Sequence, residues 1–367
     1  MMSKEELFYT IALTKVHQMG PVQCRLLMEK LGSAKIVFES TKKTLESIEG
    51  IGTLKAKAIK SFTEFNSAEQ EIKFIEKYQI SALTILDEAY PQKLLHCYDP
   101  PTILYKKGTA NLNAKKIIAV IGTRHHTDYG KQVTDSFVKS LATHNITILS
   151  GMAFGIDAIA HRAALIHQTP TIGVLAHGQD TIYPKEHRPL ANQILQESGA
   201  LITEYGSNTL PDRHHFPQRN RIVAGMADAV LVIESGLKGG SMVTADLASG
   251  YHKDVFAIPG RIQDPRSAGC IQLIKQNKAQ IITAPEDIIS SLGWEKKPFQ
   301  TVIQKEFFIQ LSPDEKILVD LLNDTPIHID LLSTKSKLPH SKVAAALLSL
   351  ELQGIVKSMP GPSYSLT

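Results

Sequence analysis

Apolar residues recur at two different spacings along the chain, and the spacing divides it into three parts. Up to residue 80 they return every three or four positions, as at Leu7 and Ile11, which predicts amphipathic helices. From 115 to about 293 they form short unbroken runs of Val, Ile and Leu, separated by helix-length amphipathic segments. Such runs indicate strands covered on both faces, hence a parallel sheet between layers of helices. After residue 311 the helical spacing returns.

The central part therefore predicts an α/β fold, an extended Rossmann-like, mostly parallel sheet of about seven strands over 81–293. Residues 81 to about 112 are irregular and rich in proline, and they read as extended chain that leads into this domain. The seven runs are, in order, IIAVIG, ITILSG, TIGVLAHG, ALITEY, AVLVIES, DVFAIPG and AQIIT.

Residues 1–80 predict an N-terminal helical domain of SAM or helix-hairpin-helix type. Gly50 and Gly52 would form a turn between short helices, with Lys55 and Lys57 following. Backbone N–H groups in such a turn can hold a phosphate. An ordinary helical turn needs glycine as well, so both interpretations stay open.

The last part predicts a linker over 294–310 and a winged-helix-like domain over 311–367. Ser312 and Pro313 form a helix start, two further helices follow, and a Pro-Gly turn separates two alternating segments at the end. The second of those further helices would be the recognition helix, and it offers only Lys342 on a largely apolar face. DNA binding, protein contact and simple packing are all open for this domain.

Composition narrows the class of protein. The chain has 367 residues, 43% hydrophobic and 21% charged, which suits two or three folded domains. A net charge of +4 permits a nucleic-acid partner without requiring one. Three separated cysteines and the absence of a signal-like or membrane-length apolar segment predict a cytoplasmic protein without disulfides or structural zinc and with no membrane partner.

The loops that follow the predicted strands carry the candidate chemistry, because ligands of open parallel sheets bind beyond the carboxyl ends of the strands. These loops are rich in glycine and most of them contain Arg or Lys, whereas the rest of the domain's surface charge is mixed. Cations and helix N-termini on one sheet edge predict a site for a polyanion. The cations are Arg124, Lys185, Arg188, Arg213, Arg219, Arg221, Lys238, Arg261 and Arg266.

Common nucleotide sites of this fold do not match. The first turn lacks GxGxxG, and Ser150 stands where a ribose-binding acid would follow the second strand, which disfavours a dinucleotide oxidoreductase. No P-loop sequence is present. The segment KGGSMVTA is close to the phosphate loop of nucleoside-monophosphate phosphoribohydrolases, but Met242 and Val243 replace its next residues and no catalytic Glu follows. That enzyme class is the alternative function.

Other polar residues suggest no catalysis. The pairs His125–His126 and His214–His215 lack partners at metal-ligand spacing, so neither a metal nor a cofactor is expected. We expect Asp157 and Asp228 to orient arginines or to cap backbone groups, because no nucleophile–base pair is apparent.

The chain resembles the DNA-processing protein A family (DprA, also called Smf). The resemblance implies a non-catalytic, homodimeric protein of natural transformation that binds single-stranded DNA, displaces single-strand binding protein and loads the RecA recombinase. It rests on YPQKL and DPPTILYKKG within 90–108, VIGTR at 120–124, SGMAFGIDAIAH at 150–161, YPKEHRPL at 183–190, FPQRNRIVAG at 216–225, KGGSMVTA at 238–245 and VFAIPG at 255–260.

Matched residue by residue, the resemblance and the loop chemistry place DNA contacts in five loops. Those contacts are predicted at Gly122, Thr123, Arg124, Gly151, Gly155, Lys185, Arg219, Asn220, Arg221, Gly239, Gly240 and Ser241.

The RNR segment, 219–221, is expected to form a loop at the sheet's edge. Arginine holds phosphate with a planar fork, so Arg219 and Arg221 would grip DNA while Asn220 bonds the backbone and keeps the loop rigid. The alternative is that Arg221 is buried against Asp228 or Glu234.

Overall fold

A computed structural model describes residues 3–295, 311–323 and 325–366 of the chain. The chain folds as two compact units, Met1–Trp294 and Glu295–Thr367. The predicted linker, 294–310, lies outside the described residues apart from its first two positions.

Six helices open the first unit and belong to the same unit as the sheet. Ser3 caps the first of them, and Gly32, with φ +81°, ends the second in the left-handed conformation that glycine favours. Gly50 has φ +88° and Gly52 is the N-cap of the fifth helix, so both glycines lie at the predicted turn. The helices are α1 (Lys4–Thr14), α2 (Pro21–Leu31), α3 (Ala34–Glu39), α4 (Lys42–Glu46), α5 (Thr53–Lys60) and α6 (Phe65–Lys77).

A sheet of nine strands follows, in the order β1-β2-β6-β5-β4-β3-β7-β8-β9. All seven predicted runs form strands, and the pairings from β6 through β9 are parallel. The strands are β1 (Ser81–Thr84), β2 (Ile103–Gly108), β3 (Ile117–Gly122), β4 (Thr147–Ser150), β5 (Thr171–Val174), β6 (Ala200–Thr203), β7 (Ala229–Ile233), β8 (Asp254–Ala257) and β9 (Gln280–Ile281).

The two additional strands, β1 and β2, come from the segment that the sequence had suggested to be lead-in chain. They pair antiparallel with each other, and β2 pairs antiparallel with β6. Their backbone groups thus complete the β6 edge of the parallel sheet. The predicted fold class is confirmed, with a larger and mixed sheet.

Helices cover both faces of the sheet, and alternate residues of central strands such as β3 enter separate cores. Ile117, Ala119 and Ile121 pack into one core, while Ile118 and Val120 pack into the other.

Within the described residues, no helix combines the length and the apolar character needed to span a membrane. The helices are α7 (Gln92–Leu95), α8 (Asp128–Ala142), α9 (Ile156–Ile166), α10 (Arg188–Gln196), α11 (His215–Met226), α12 (Gly240–Gly250), α13 (Ala268–Lys275) and α14 (Pro285–Ser291), with a 3-10 turn at Lys185–His187.

The second unit is a winged helix with its own core, formed around Leu318, Leu332 and Leu347. Ser312 begins its first helix as predicted, because its hydroxyl accepts from Glu315 N while the Glu315 carboxylate accepts from Ser312 N. Its three strands lie in the order β10-β12-β11. The elements are α15 (Pro313–Leu321), β10 (Ile327–His328), α16 (Ile329–Ser336), α17 (His340–Leu352), β11 (Val356–Met359) and β12 (Ser363–Leu366).

Candidate nucleic-acid interface

A cavity of about 830 Å³, here called the cleft, opens at the carboxyl ends of β3 and β7. The chain passes from β3 to β4 on one side and later returns to β7 on the other, so this is the point where the strand order reverses. Such points are the usual ligand sites of open α/β sheets. Of the predicted residues, those lining the cleft are Gly122, Thr123, Arg124, Gly151, Arg219, Asn220, Gly239, Gly240 and Ser241.

Three cations at the cleft are exposed and unneutralised. Arg124, Arg213 and Lys238 form no salt bridge with any described residue. Among the described residues that line the cleft, Asp157 is the sole carboxylate. It is buried, and it accepts hydrogen bonds from Gly151 N at 3.2 Å and Ala153 N at 3.3 Å. The accessible charge of the cleft is therefore positive, as binding of an anionic ligand requires.

An aromatic pair borders these cations. The rings of Tyr183 and Phe216 lie 5.7 Å apart, and the Arg124 guanidinium lies 5.6 Å from the centre of the Phe216 ring. Tyr183 is 46% exposed. Exposed rings beside cations are the surface on which unpaired bases stack. The sequence reasoning missed both residues, although each stands in a basic, proline-containing sequence motif. An aromatic residue among basic residues was the available signal.

The RNR segment is not a loop but the middle of α11, and its two arginines do different things. Residues i and i+2 of a helix point about 200° apart, so Arg219 and Arg221 leave the helix on opposite sides. The prediction of a loop that presents both arginines to phosphate is therefore wrong.

Arg219 lies under the cleft and is 4% exposed. Its Nη1 donates to the carbonyls of Gly151 and Val174, and its Nε donates to Asn220 Oδ1 at 3.2 Å. Burial lowers the pKa of Arg219 to about 10, against the opposing effect of Asp157. Burial also raises the pKa of Asp157, which Arg219 partly offsets. Arg219 thus stays charged at neutral pH and holds two strand ends together.

Arg221 lies outside the cleft altogether. Its guanidinium donates to the Asp99 carbonyl and to the Glu204 carboxylate, with side chains 10% and 15% exposed. Burial of Arg221 was the alternative interpretation, but Asp228 and Glu234 are not its partners. Asp228 accepts from Lys93 Nζ and Ile117 N, and Glu234 accepts from Thr127.

The predicted glycines fall into two groups, according to what a Cβ atom would meet. A Cβ on Gly122 would lie 2.0 Å from Ile233 O, and one on Gly151 would lie 2.7 Å from the Arg219 guanidinium. Gly155, with φ +77°, does not line the cleft, and its Cβ would lie 2.1 Å from Thr123 O. These three glycines allow the loops to pack against each other.

Gly239 and Gly240 are different. The nearest atoms to an added Cβ are Ser241 Oγ at 3.5 Å and Asn220 Nδ2 at 3.8 Å, so both Cβ positions are open. Asn220 also donates from Nδ2 to Gly240 O at 3.3 Å and thereby ties α11 to the start of α12. The first N–H groups of α12 have no acceptor within the helix. Bare backbone at a helix start suits an anion.

Ser241 was expected to cap α12 and to meet a phosphate. Gly239 is the N-cap instead, and the Ser241 hydroxyl is buried and lies 2.8 Å from Ser235 Oγ. The hydroxyl is therefore occupied inside the loop.

Lys185 does not converge with Arg124 on the cleft. It lines a separate cavity of about 650 Å³, here called the second groove, together with Lys107, Arg188 and Tyr78. Nothing in the described part of the chain groups three or more His, Cys, Asp or Glu side chains in a way that could hold a metal ion.

Comparison with known proteins decides the family. The family described as DNA recombination-mediator protein A matches residues 81–293, which include the whole sheet and the cleft. The chain belongs to this family. The DprA winged helix domain, a second family description, matches residues 309–362.

Relatives of this family member are similar over long stretches. Protein Smf of Escherichia coli is 35% identical over 302 residues, which cover 80% of each chain. The crystal structure of DNA processing protein A from Streptococcus pneumoniae has a TM-score of 0.67 and 29% identity, covering 79% of this chain and 98% of that one. A second solved structure, of DNA processing protein A from Helicobacter pylori, has a TM-score of 0.53 and 33% identity, covering 59% of this chain and 97% of that one. It is described as giving insight into the single-stranded DNA binding mode of that protein.

Proposed function

We propose that this recombination-mediator family member binds single-stranded DNA in the cleft, with Arg124, Arg213 and Lys238 on its phosphates. The observation that carries the proposal is the Arg124–Phe216–Tyr183 arrangement. The Arg124 guanidinium, which forms no salt bridge with a described residue, lies 5.6 Å from the Phe216 ring, and the Phe216 ring lies 5.7 Å from the Tyr183 ring. Double-stranded DNA hides the faces of its bases, whereas a single strand can stack them on such rings. The binding described for the Helicobacter pylori relative supports the same class of ligand.

The predicted contact residues take distinct roles in this proposal. Arg124 and Thr123 contact the strand directly, and Gly239 and Gly240 let it approach the start of α12. Arg219 supplies charge from beneath and positions the loops, while Asn220 fixes α12. Gly122, Gly151, Gly155, Ser241 and Arg221 act through the loop structure. Lys185 contacts DNA beyond the cleft.

The biological part of the proposal is that the protein protects incoming DNA in natural transformation, displaces single-strand binding protein and loads RecA. The family's description as a recombination mediator supports it. We also propose a homodimer. Assembly of RecA on DNA coated with single-strand binding protein, with and without this protein, tests the loading step.

We further propose that the protein binds DNA without catalysis. The alternative, a phosphoribohydrolase, needs a carboxylate free to act on the sugar, and the Asp157 carboxylate is committed to Gly151 N and Ala153 N. Release of free base from nucleoside monophosphates would support the alternative.

The direct test is a comparison of single-stranded and double-stranded oligonucleotides by fluorescence anisotropy over a range of salt. We expect tighter binding of the single strand, with log K falling by about 0.7 per phosphate contact for each unit of log salt. Equal affinity for both forms would contradict the stacking proposal.

Gly240→Ala tests the close approach of DNA to α12. The added methyl group meets no protein atom nearer than 3.8 Å, so we expect the melting temperature to change little. Binding of oligo-dT should weaken about tenfold, because the methyl group occupies space that the strand needs. Gly250→Ala, at the far end of α12 and also in open space, is the matched control. Wild-type affinity in Gly240→Ala would remove α12 from the interface.

A further inference from the structure

The second groove contains a free cationic surface that the cleft does not include. Lys107, Lys185 and Arg188 line it, and none of them forms a salt bridge with a described residue. Asp180 is the carboxylate among its described lining residues, and its Oδ1 already accepts from Asn208 N at 3.0 Å. The side-chain amide of Gln179 already has hydrogen-bond partners, because its Nε2 donates to Tyr105 O and Leu201 O. Among the described charged residues of this groove, the cations outnumber the single carboxylate by three to one.

An exposed ring accompanies those cations. Tyr78 is 43% exposed and lies at the end of α6, with Lys77 Nζ 5.3 Å and Lys107 Nζ 5.9 Å from the centre of its ring. Phe74 supports it at 4.7 Å between ring centres. A supported ring flanked by cations repeats the chemistry of the Arg124–Phe216–Tyr183 arrangement.

The second groove lies beside the cleft. The turn between β5 and α10 separates them, because Tyr183 lines the cleft while Ile182 and Lys185 line the second groove. A small pocket of about 30 Å³ lies at the same turn and is lined by Arg124 and Tyr183. Leu175 lines both this pocket and the second groove. A single strand of DNA that left the cleft past Tyr183 would therefore reach the second groove next.

We propose that the second groove holds the continuation of the same single DNA strand, with Lys107 and Arg188 on phosphates and an unpaired base stacked on Tyr78. The inference rests on the proposed function of the cleft. It assigns a DNA contact to the helical segment before the sheet, through Tyr78, and predicts a binding site longer than the cleft alone.

The test measures how affinity depends on oligonucleotide length in the full-length protein. Oligo-dT of about 6 nucleotides fills the cleft, and oligo-dT of about 20 nucleotides also reaches the second groove. In the Lys107→Gln, Arg188→Gln double variant, we expect the long oligonucleotide to bind about tenfold more weakly and the short one to bind as it does to wild type. Tyr78→Ala should give the same selective loss, and Tyr78→Phe should retain binding. The Lys139→Gln, Lys275→Gln double variant, which also removes two positive charges, from the last turns of α8 and α13, is the charge-matched control.

The outcomes separate this inference from the proposed function. Loss of long-oligonucleotide binding alone supports the second groove. Wild-type affinity of the double variant at both lengths, while Arg124→Ala still weakens binding, overturns the second groove and leaves the cleft intact. Failure of the wild-type protein to bind either oligonucleotide overturns both.

Discussion

Replacement of Arg124 by alanine is expected to weaken binding of single-stranded DNA by about 2 kcal/mol, or about 30-fold. The guanidinium is exposed, forms no salt bridge with described residues and lies beside Phe216. Its removal would delete both the proposed phosphate contact and part of the proposed stacking surface. Its loss should also make the salt dependence shallower by about 0.7 in log K per log salt. Anisotropy titrations with oligo-dT at several salt concentrations measure both quantities.

Two variants control this result. Arg124→Lys keeps the charge but loses the planar fork, so we expect an intermediate affinity with the wild-type salt slope. Lys139→Ala removes an equal charge from the last turn of α8, outside the residues that line the cleft, and should bind as wild type does. If Lys139→Ala weakens binding as much as Arg124→Ala, net charge governs binding and the cleft is not a defined site.

Replacement of Arg221 by alanine should instead destabilise the first unit, by roughly 3–5 kcal/mol in the free energy of unfolding. The change leaves the Glu204 carboxylate buried without its cation and the Asp99 carbonyl without its donor. The other carboxylate oxygen, Glu204 Oε1, is already buried with no hydrogen-bond partner among described residues. No other donor is therefore in place to replace the lost guanidinium. Urea denaturation followed by circular dichroism measures the loss.

The double variant Arg221→Leu, Glu204→Leu removes both charges together, and we expect it to recover much of the lost stability. Arg261→Ala, an exposed arginine without a salt bridge in the described residues, should change the unfolding free energy by less than about 0.5 kcal/mol. A stable Arg221→Ala protein that has lost DNA binding would contradict the structural role.

Most of the fold followed from the pattern of apolar runs. Runs such as Ile117–Gly122 and Ala229–Ile233 are too short and too uniformly apolar for surface helices, and each became a buried strand. The strands β1 and β2 were missed because prolines 91, 100 and 101 lie between them and β1 lies at the edge of the sheet, where the apolar pattern is weak.

The candidate site was harder to predict, because a motif does not reveal which way its side chains point. Arg219 and Arg221 are neighbours in sequence, but the helix sends them to opposite sides, and no composition argument distinguishes them. The same limit applies to the glycines. The sequence alone does not distinguish Gly151 from Gly240. A Cβ atom would clash with the Arg219 guanidinium at Gly151, whereas it would meet open space at Gly240.

Ultraviolet crosslinking of oligo-dT, followed by mass spectrometry of the peptides, tests the central claim most directly. The account predicts crosslinks at Tyr183 and Phe216, because thymine bases stack on these two rings when the cleft is occupied. Crosslinks confined to the winged-helix unit, 311–366, or to helices α1–α5, with none at Tyr183 or Phe216, would contradict it.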